Sequence, residues 1–128
     1  MHWACKFLSI PYEEMNCAEF VEFVLKKEFN INFKFPQNHG SVFPRSHEIK
    51  KEFNNFVVPE PTLDPKDGDL VLMNGLRRMC HVGLVVKKRD VLHVLHTQKS
   101  IGSACLHRLK DLPYYGLSLQ GIYKLRIS

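Results

Sequence analysis

Four cysteines and seven histidines are the residues of this chain most able to make and break bonds. Cys17 stands out by position. It follows Asn16, a good helix cap, at the head of the run Asn16-Cys17-Ala18-Glu19-Phe20-Val21. A thiol at the first helical position sits at the positive end of the helix dipole, which is expected to lower its pKa. The free N–H groups there can also receive an oxyanion. Such a nucleophile needs a base, and histidine is the usual one. His81, His93 and His96 lie on two successive strand-like runs, where a sheet can hold them. Gly83, two residues after His81, removes a side chain where a substrate would approach. His2, His39, His47 and His107 read as terminal, loop or basic-strand residues at the surface. Cys5, Cys80 and Cys105 read as small apolar residues among strand-like neighbours.

Those groups need elements to position them. Phe20, Val21, Val24 and Leu25 form one apolar stripe at helical spacing, so the pattern predicts a helix over 16–29. Asn16 and Glu19 suit a capping box, and Lys26-Lys27 suit the C-terminal end. A second, shorter helix is predicted over Ser46–Phe56. After the turn-rich stretch from Pro59 to Gly68, strands are expected at Asp69–Asn74, Cys80–Lys87, Val91–His96, Ala104–Leu109 and Gln120–Ile127. Helices first and strands after make an α+β domain with an antiparallel sheet, one domain over residues 1–128.

The third catalytic group, which would orient His81, depends on the hairpin between the two histidine-bearing strands. A two-residue loop, Lys88-Arg89, places His96 opposite His81. A three-residue loop, Lys88-Arg89-Asp90, places Val85 opposite His93, so that His93 shares the face of His81. A shift of one residue exchanges the two histidines.

Composition bounds the alternatives. The chain has 128 residues, 45% hydrophobic and 24% charged, the balance of a globular domain. No apolar run reaches the roughly 18–20 residues of a membrane span, and residues 1–10 lack a secretory-signal pattern. A cytoplasmic site, or delivery by other machinery, is therefore expected. The net charge is +5. Residues 1–64 carry 7 Lys/Arg against 9 Asp/Glu (−2), and residues 65–128 carry 11 against 4 (+7). No aromatic-rich basic stripe accompanies that charge, so a solvated surface is expected and a nucleic-acid partner is not. The absence of Cys-x-x-Cys and His-Glu-x-x-His spacings argues against a metal site, and no cofactor motif is present. Reduced thiols are expected.

The ordered set Asn16-Cys17-Ala18-Glu19-Phe20-Val21, Asp67-Gly68-Asp69-Leu70-Val71 and His81-Val82-Gly83-Leu84-Val85-Val86 resembles the NlpC-type papain-like cysteine peptidases. The likeness covers about 11–29 and 65–96. It implies a helix bearing the nucleophile on a small antiparallel sheet, with Cys17 as nucleophile, His81 as general base and acid, and His93 as orienter. The interval of 12 residues from His81 to His93 resembles the family's usual one and favours His93 over His96. Val91-Leu92-His93 followed by Ser100 resembles the variant of phage tail-assembly peptidases. Tyr12 resembles a tyrosine that holds substrate or the oxyanion. Asn16 replaces the family's usual aspartate, and Asp67 the proline before the Gly-Asp turn. The resemblance implies a cysteine hydrolase of peptide amides, with bacterial cell-wall peptidoglycan as substrate. A non-hydrolytic phage tail-assembly or binding module on the same fold, or a protein acyltransferase or deamidase, are the alternatives.

Overall fold

The structure, a computed structural model, describes residues 2–35, 57–58, 60–75 and 80–126. The stretch expected to form the second helix, with His39 and His47, lies outside the described residues.

The first expected helix forms as α1, Cys17–Phe29. The Asn16 side chain accepts from the Glu19 N–H at 2.9 Å, and Glu19 accepts from the Asn16 N–H at 3.1 Å, completing the capping box. Asn30, in the left-handed region, ends the helix. The stripe Phe20, Val21, Val24 and Leu25 is fully buried.

Five strands follow: β1 (Leu70–Asn74), β2 (Cys80–Lys88), β3 (Val91–Gln98), β4 (Ser103–Arg108) and β5 (Ser118–Tyr123). They form one antiparallel sheet in the order β4-β3-β2-β1-β5. The domain is thus α+β, as expected. Among the described residues, two 3-10 helices, Trp3–Phe7 and Leu109–Tyr115, were not foreseen. Pro113 lies inside the second and Gly116 ends it, and the first is too short to show a period.

Alternation along the strands divides the apolar side chains between two faces. Leu70, Leu72, Val82, Leu84, Val86 and Leu95 join the α1 stripe in the larger core. Val71, Met73, Val85 and Val94 pack beneath Leu112 of the second 3-10 helix on the other face. The Asp67-Gly68-Asp69 turn fastens the entry to β1. Asp67 accepts from the Lys87 N–H at 2.6 Å, and Asp69 accepts from the Lys66 N–H at 2.8 Å and from Lys124 Nζ at 2.6 Å. Its role in this fold is structural.

The β2–β3 hairpin differs from both expected loops. Lys88 pairs with Val91, leaving Arg89-Asp90 as a two-residue turn. Both residues have positive φ, 53° and 62°, as a type I′ turn requires. The resulting register sets Val86 opposite His93 and Leu84 opposite Leu95. The ladder is so tight at Gly83 that a Cβ there would lie 2.6 Å from Val94 Cγ2, 2.9 Å from the Leu95 carbonyl oxygen and 3.0 Å from His96 Cβ. Gly83→Ala is therefore expected to cost about 1–3 kcal/mol, because the obstructing atoms include backbone. A urea midpoint within error of the parent protein would contradict this close packing.

Candidate functional site

Cys17 is the first residue of α1 and only 5% exposed. Burial pushes its thiol pKa up, and the N–H groups of Val82, Ala18 and Cys17 itself pull it back only in part. The expectation of a lowered pKa is corrected: three donors are present, but desolvation outweighs them. The resting group is a neutral thiol. The Val82 N–H faces this sulfur, two residues before the last recorded β2–β3 pair, Leu84↔Leu95. Tyr12 lies within electrostatic reach: burial first, then the neighbouring Cys17, pushes its phenol up. Tyr12 is held by its own N–H donating to the Gly102 carbonyl at 3.0 Å. The structure thus brings Tyr12, Cys17 and the backbone beside His81 together.

His81 stands opposite Met73 and shares its face, the one away from the body of α1. Its ring Nε2 is 2.7 Å from His96 Nδ1. His96 Nε2 is in turn 3.1 Å from His107 Nδ1. Among the described residues, the Cys17 sulfur meets backbone N–H groups and the His81 ring meets His96; no hydrogen bond joins sulfur to imidazole.

His93 is not brought to His81. It faces the α1 side, opposite Val86, and its Nδ1 lies 3.0 Å from the carbonyl oxygen of Val91, two residues before it. The ring that meets His81 is instead that of His96, which is fully buried. The physical reason is the turn. With Arg89-Asp90 at the tip, Leu84 pairs with Leu95 and Gly83 lies beside the His96 Cβ, so His81 and His96 share one face.

His107 also departs from its expected surface role. It carries the row of imidazoles to β4, where the Tyr115 ring stacks on it at 3.6 Å between centroids and 8° between planes. Cys105, read as a core residue, is half-buried with its sulfur 3.6 Å from His96 Nε2. The signal available in the sequence was Cys105-Leu106-His107, whose alternation puts both polar groups on one face. Cys5, Cys17 and Cys105 are free thiols.

Burial sets the protonation of this row. It pushes His81 down to about 4. His96 is held well below its ordinary value, by burial and then by His81 and His107. His107 is lowered by burial and partly restored by Asp111. Neutral imidazoles can each donate from one nitrogen and accept at the other, so the chain His81–His96–His107 forms a directional relay. In one direction His81 Nε2–H donates to His96, leaving His81 Nδ1 free to take a proton.

Among the described residues, no helix is long and apolar enough to cross a membrane. No family model matches this chain, and the searches of curated proteins and of solved structures returned no match.

Proposed function

We propose that the protein is a papain-like cysteine hydrolase that cleaves a peptide amide, with peptidoglycan peptides as substrate class. The observation that carries the reading is the Cys17 thiol at the head of α1, set against the N–H of Val82, the residue that follows a His81 whose ring is held 2.7 Å from His96. The resemblance to NlpC-type peptidases supports the choice of substrate.

In this mechanism the Cys17 sulfur attacks the amide carbonyl carbon while its proton passes to His81 through a bound water, since no hydrogen bond joins the sulfur to an imidazole among the described residues. The carbonyl oxygen takes the electron pair, and N–H groups at the head of α1 and the Tyr12 hydroxyl stabilise it. Collapse expels the amine, which takes the proton from His81, and leaves a thioester on Cys17. Water attacks the thioester with His81 as base, releasing the acid and restoring the thiol. His96 fixes the His81 tautomer, with Nε2–H towards His96 and Nδ1 open. The neutral resting thiol means that the proton leaves during attack.

The test is incubation with purified peptidoglycan fragments, read by mass spectrometry. The parent protein is expected to release an amide-cleaved product, and Cys17→Ala to lose at least ~10³-fold in rate. Full cleavage by Cys17→Ala would overturn the mechanism.

One observation favours a second reading, a non-hydrolytic binding module on the same fold: the near-complete burial of Cys17. It predicts that the parent protein cleaves no peptidoglycan fragment at any pH between about 6 and 9, and that Cys17→Ala binds those fragments as tightly as the parent protein does.

A further inference from the structure

Three side chains at the β3–β4 end of the relay converge on one point. Strand pairing sets His96 directly opposite Cys105, and His107 lies two residues further along β4 on the same face. His96 Nε2, Cys105 Sγ and His107 Nδ1 all fall within 4.8 Å of one another. The separations are 3.1 Å between the two nitrogens and 3.6 Å between the sulfur and His96 Nε2. Two heavy atoms converge on this nitrogen, and in the absence of a metal the Cys105 S–H donates to the His96 carbonyl at 3.6 Å.

Those distances resemble the edges of a metal tetrahedron. With metal–nitrogen bonds of about 2.05 Å and metal–sulfur bonds of about 2.3 Å, the nitrogen–nitrogen edge is about 3.4 Å and the nitrogen–sulfur edge about 3.6 Å. Two imidazoles and a thiolate are a ligand set of borderline softness, suited to zinc and its neighbours rather than to calcium or magnesium. We propose that His96 Nε2, Cys105 Sγ and His107 Nδ1 form a site for one zinc-class divalent ion, with a fourth position open to water. Binding costs one proton, that of the Cys105 thiol, which passes to solvent. The surroundings are those of such a site. The Asp111 carboxylate is within electrostatic reach of His107. Tyr115 covers the His107 ring, and its carbonyl accepts from Gln98 Nε2 at 2.9 Å.

The site carries a consequence for Cys17, which rests on the hydrolase reading above. A metal on His96 Nε2 requires the ring proton to sit on Nδ1, which then donates to His81 Nε2. The remaining proton of neutral His81 is thereby placed on Nδ1, the nitrogen that must be open to receive the Cys17 proton. The metal-bound protein has its base in the wrong tautomer, so zinc switches the thiol chemistry off.

Two measurements separate the site from the switch. Cobalt(II) titrated into the full chain is expected to give a thiolate-to-cobalt absorption band at one equivalent. The band should persist in Cys17→Ser, vanish in Cys105→Ser and need at least tenfold more cobalt in His107→Ala. Absence of the band from the parent protein, or its survival in Cys105→Ser, overturns the site, whatever Cys17 does. In the second measurement, one equivalent of zinc is expected to slow iodoacetamide modification of Cys17 at least tenfold in the parent protein and not in Cys105→Ser. Equal slowing in both, or none in the parent protein, overturns the switch. A protein that binds cobalt as expected but cleaves no peptidoglycan fragment refutes the hydrolase reading alone.

Discussion

His96→Ala is expected to lower kcat/KM for a cleaved peptide by ~10²–10⁴-fold, while His93→Ala stays within about twofold of the parent protein. The large effect follows from the 2.7 Å contact between His81 Nε2 and His96 Nδ1. Without that acceptor, His81 loses the partner that fixes its tautomer and its ring plane. His93 has no part in this, because its ring sits on the other face against the Val91 carbonyl. His96→Asn separates positioning from packing, since an amide oxygen can still accept from His81 Nε2–H. It should recover part of the rate, chiefly in kcat, and circular dichroism should show all three variants folded. Equal losses in His93→Ala and His96→Ala would remove the assignment of His96 as orienter.

Acid should destabilise the protein strongly. The folded pKa of His81, about 4, lies below the ordinary 6.5. Neutral His81 is the form that folding favours. Its contribution to stability is therefore full above about pH 6.5 and falls as pH drops towards 4, since the unfolded chain takes up the proton first. The two pKa values differ by 6.5 − 4 = 2.5 units, a maximum of about 3 kcal/mol from this residue. His96 shifts in the same direction and adds to the loss. Urea unfolding in metal-free buffer at pH 7.5 and pH 4.5 measures the effect. His81→Gln, which cannot take the proton, should be less stable than the parent protein at pH 7.5 but lose distinctly less between the two conditions. The same loss in both proteins would show that the imidazole is not held neutral by burial.

Much of this molecule was legible in its residues. The stripe Phe20, Val21, Val24 and Leu25 behind Asn16 fixed α1 to within a residue, because period and cap are local properties. The runs rich in β-branched residues fixed the strands to within a few residues, and helices before strands gave α+β. The position of Cys17 at the head of α1 was readable for the same reason.

What the tertiary structure alone decided was which groups meet. Val91-Leu92-His93-Val94-Leu95-His96 repeats a tripeptide along a strand whose side chains alternate, so its two histidines must face opposite ways. Which one faces His81 depends on the turn, and Arg89-Asp90 adopt a conformation that neither residue type demands by itself. The state of the Cys17 thiol depended in the same way on packing. The helix dipole was visible from sequence, but the desolvation that outweighs it comes from the tertiary packing of the larger core. The meeting of Cys105 and His107 with His96 is likewise a product of β3–β4 register. Local periodicity specifies elements; register and burial, set by the whole chain at once, specify the chemistry between them.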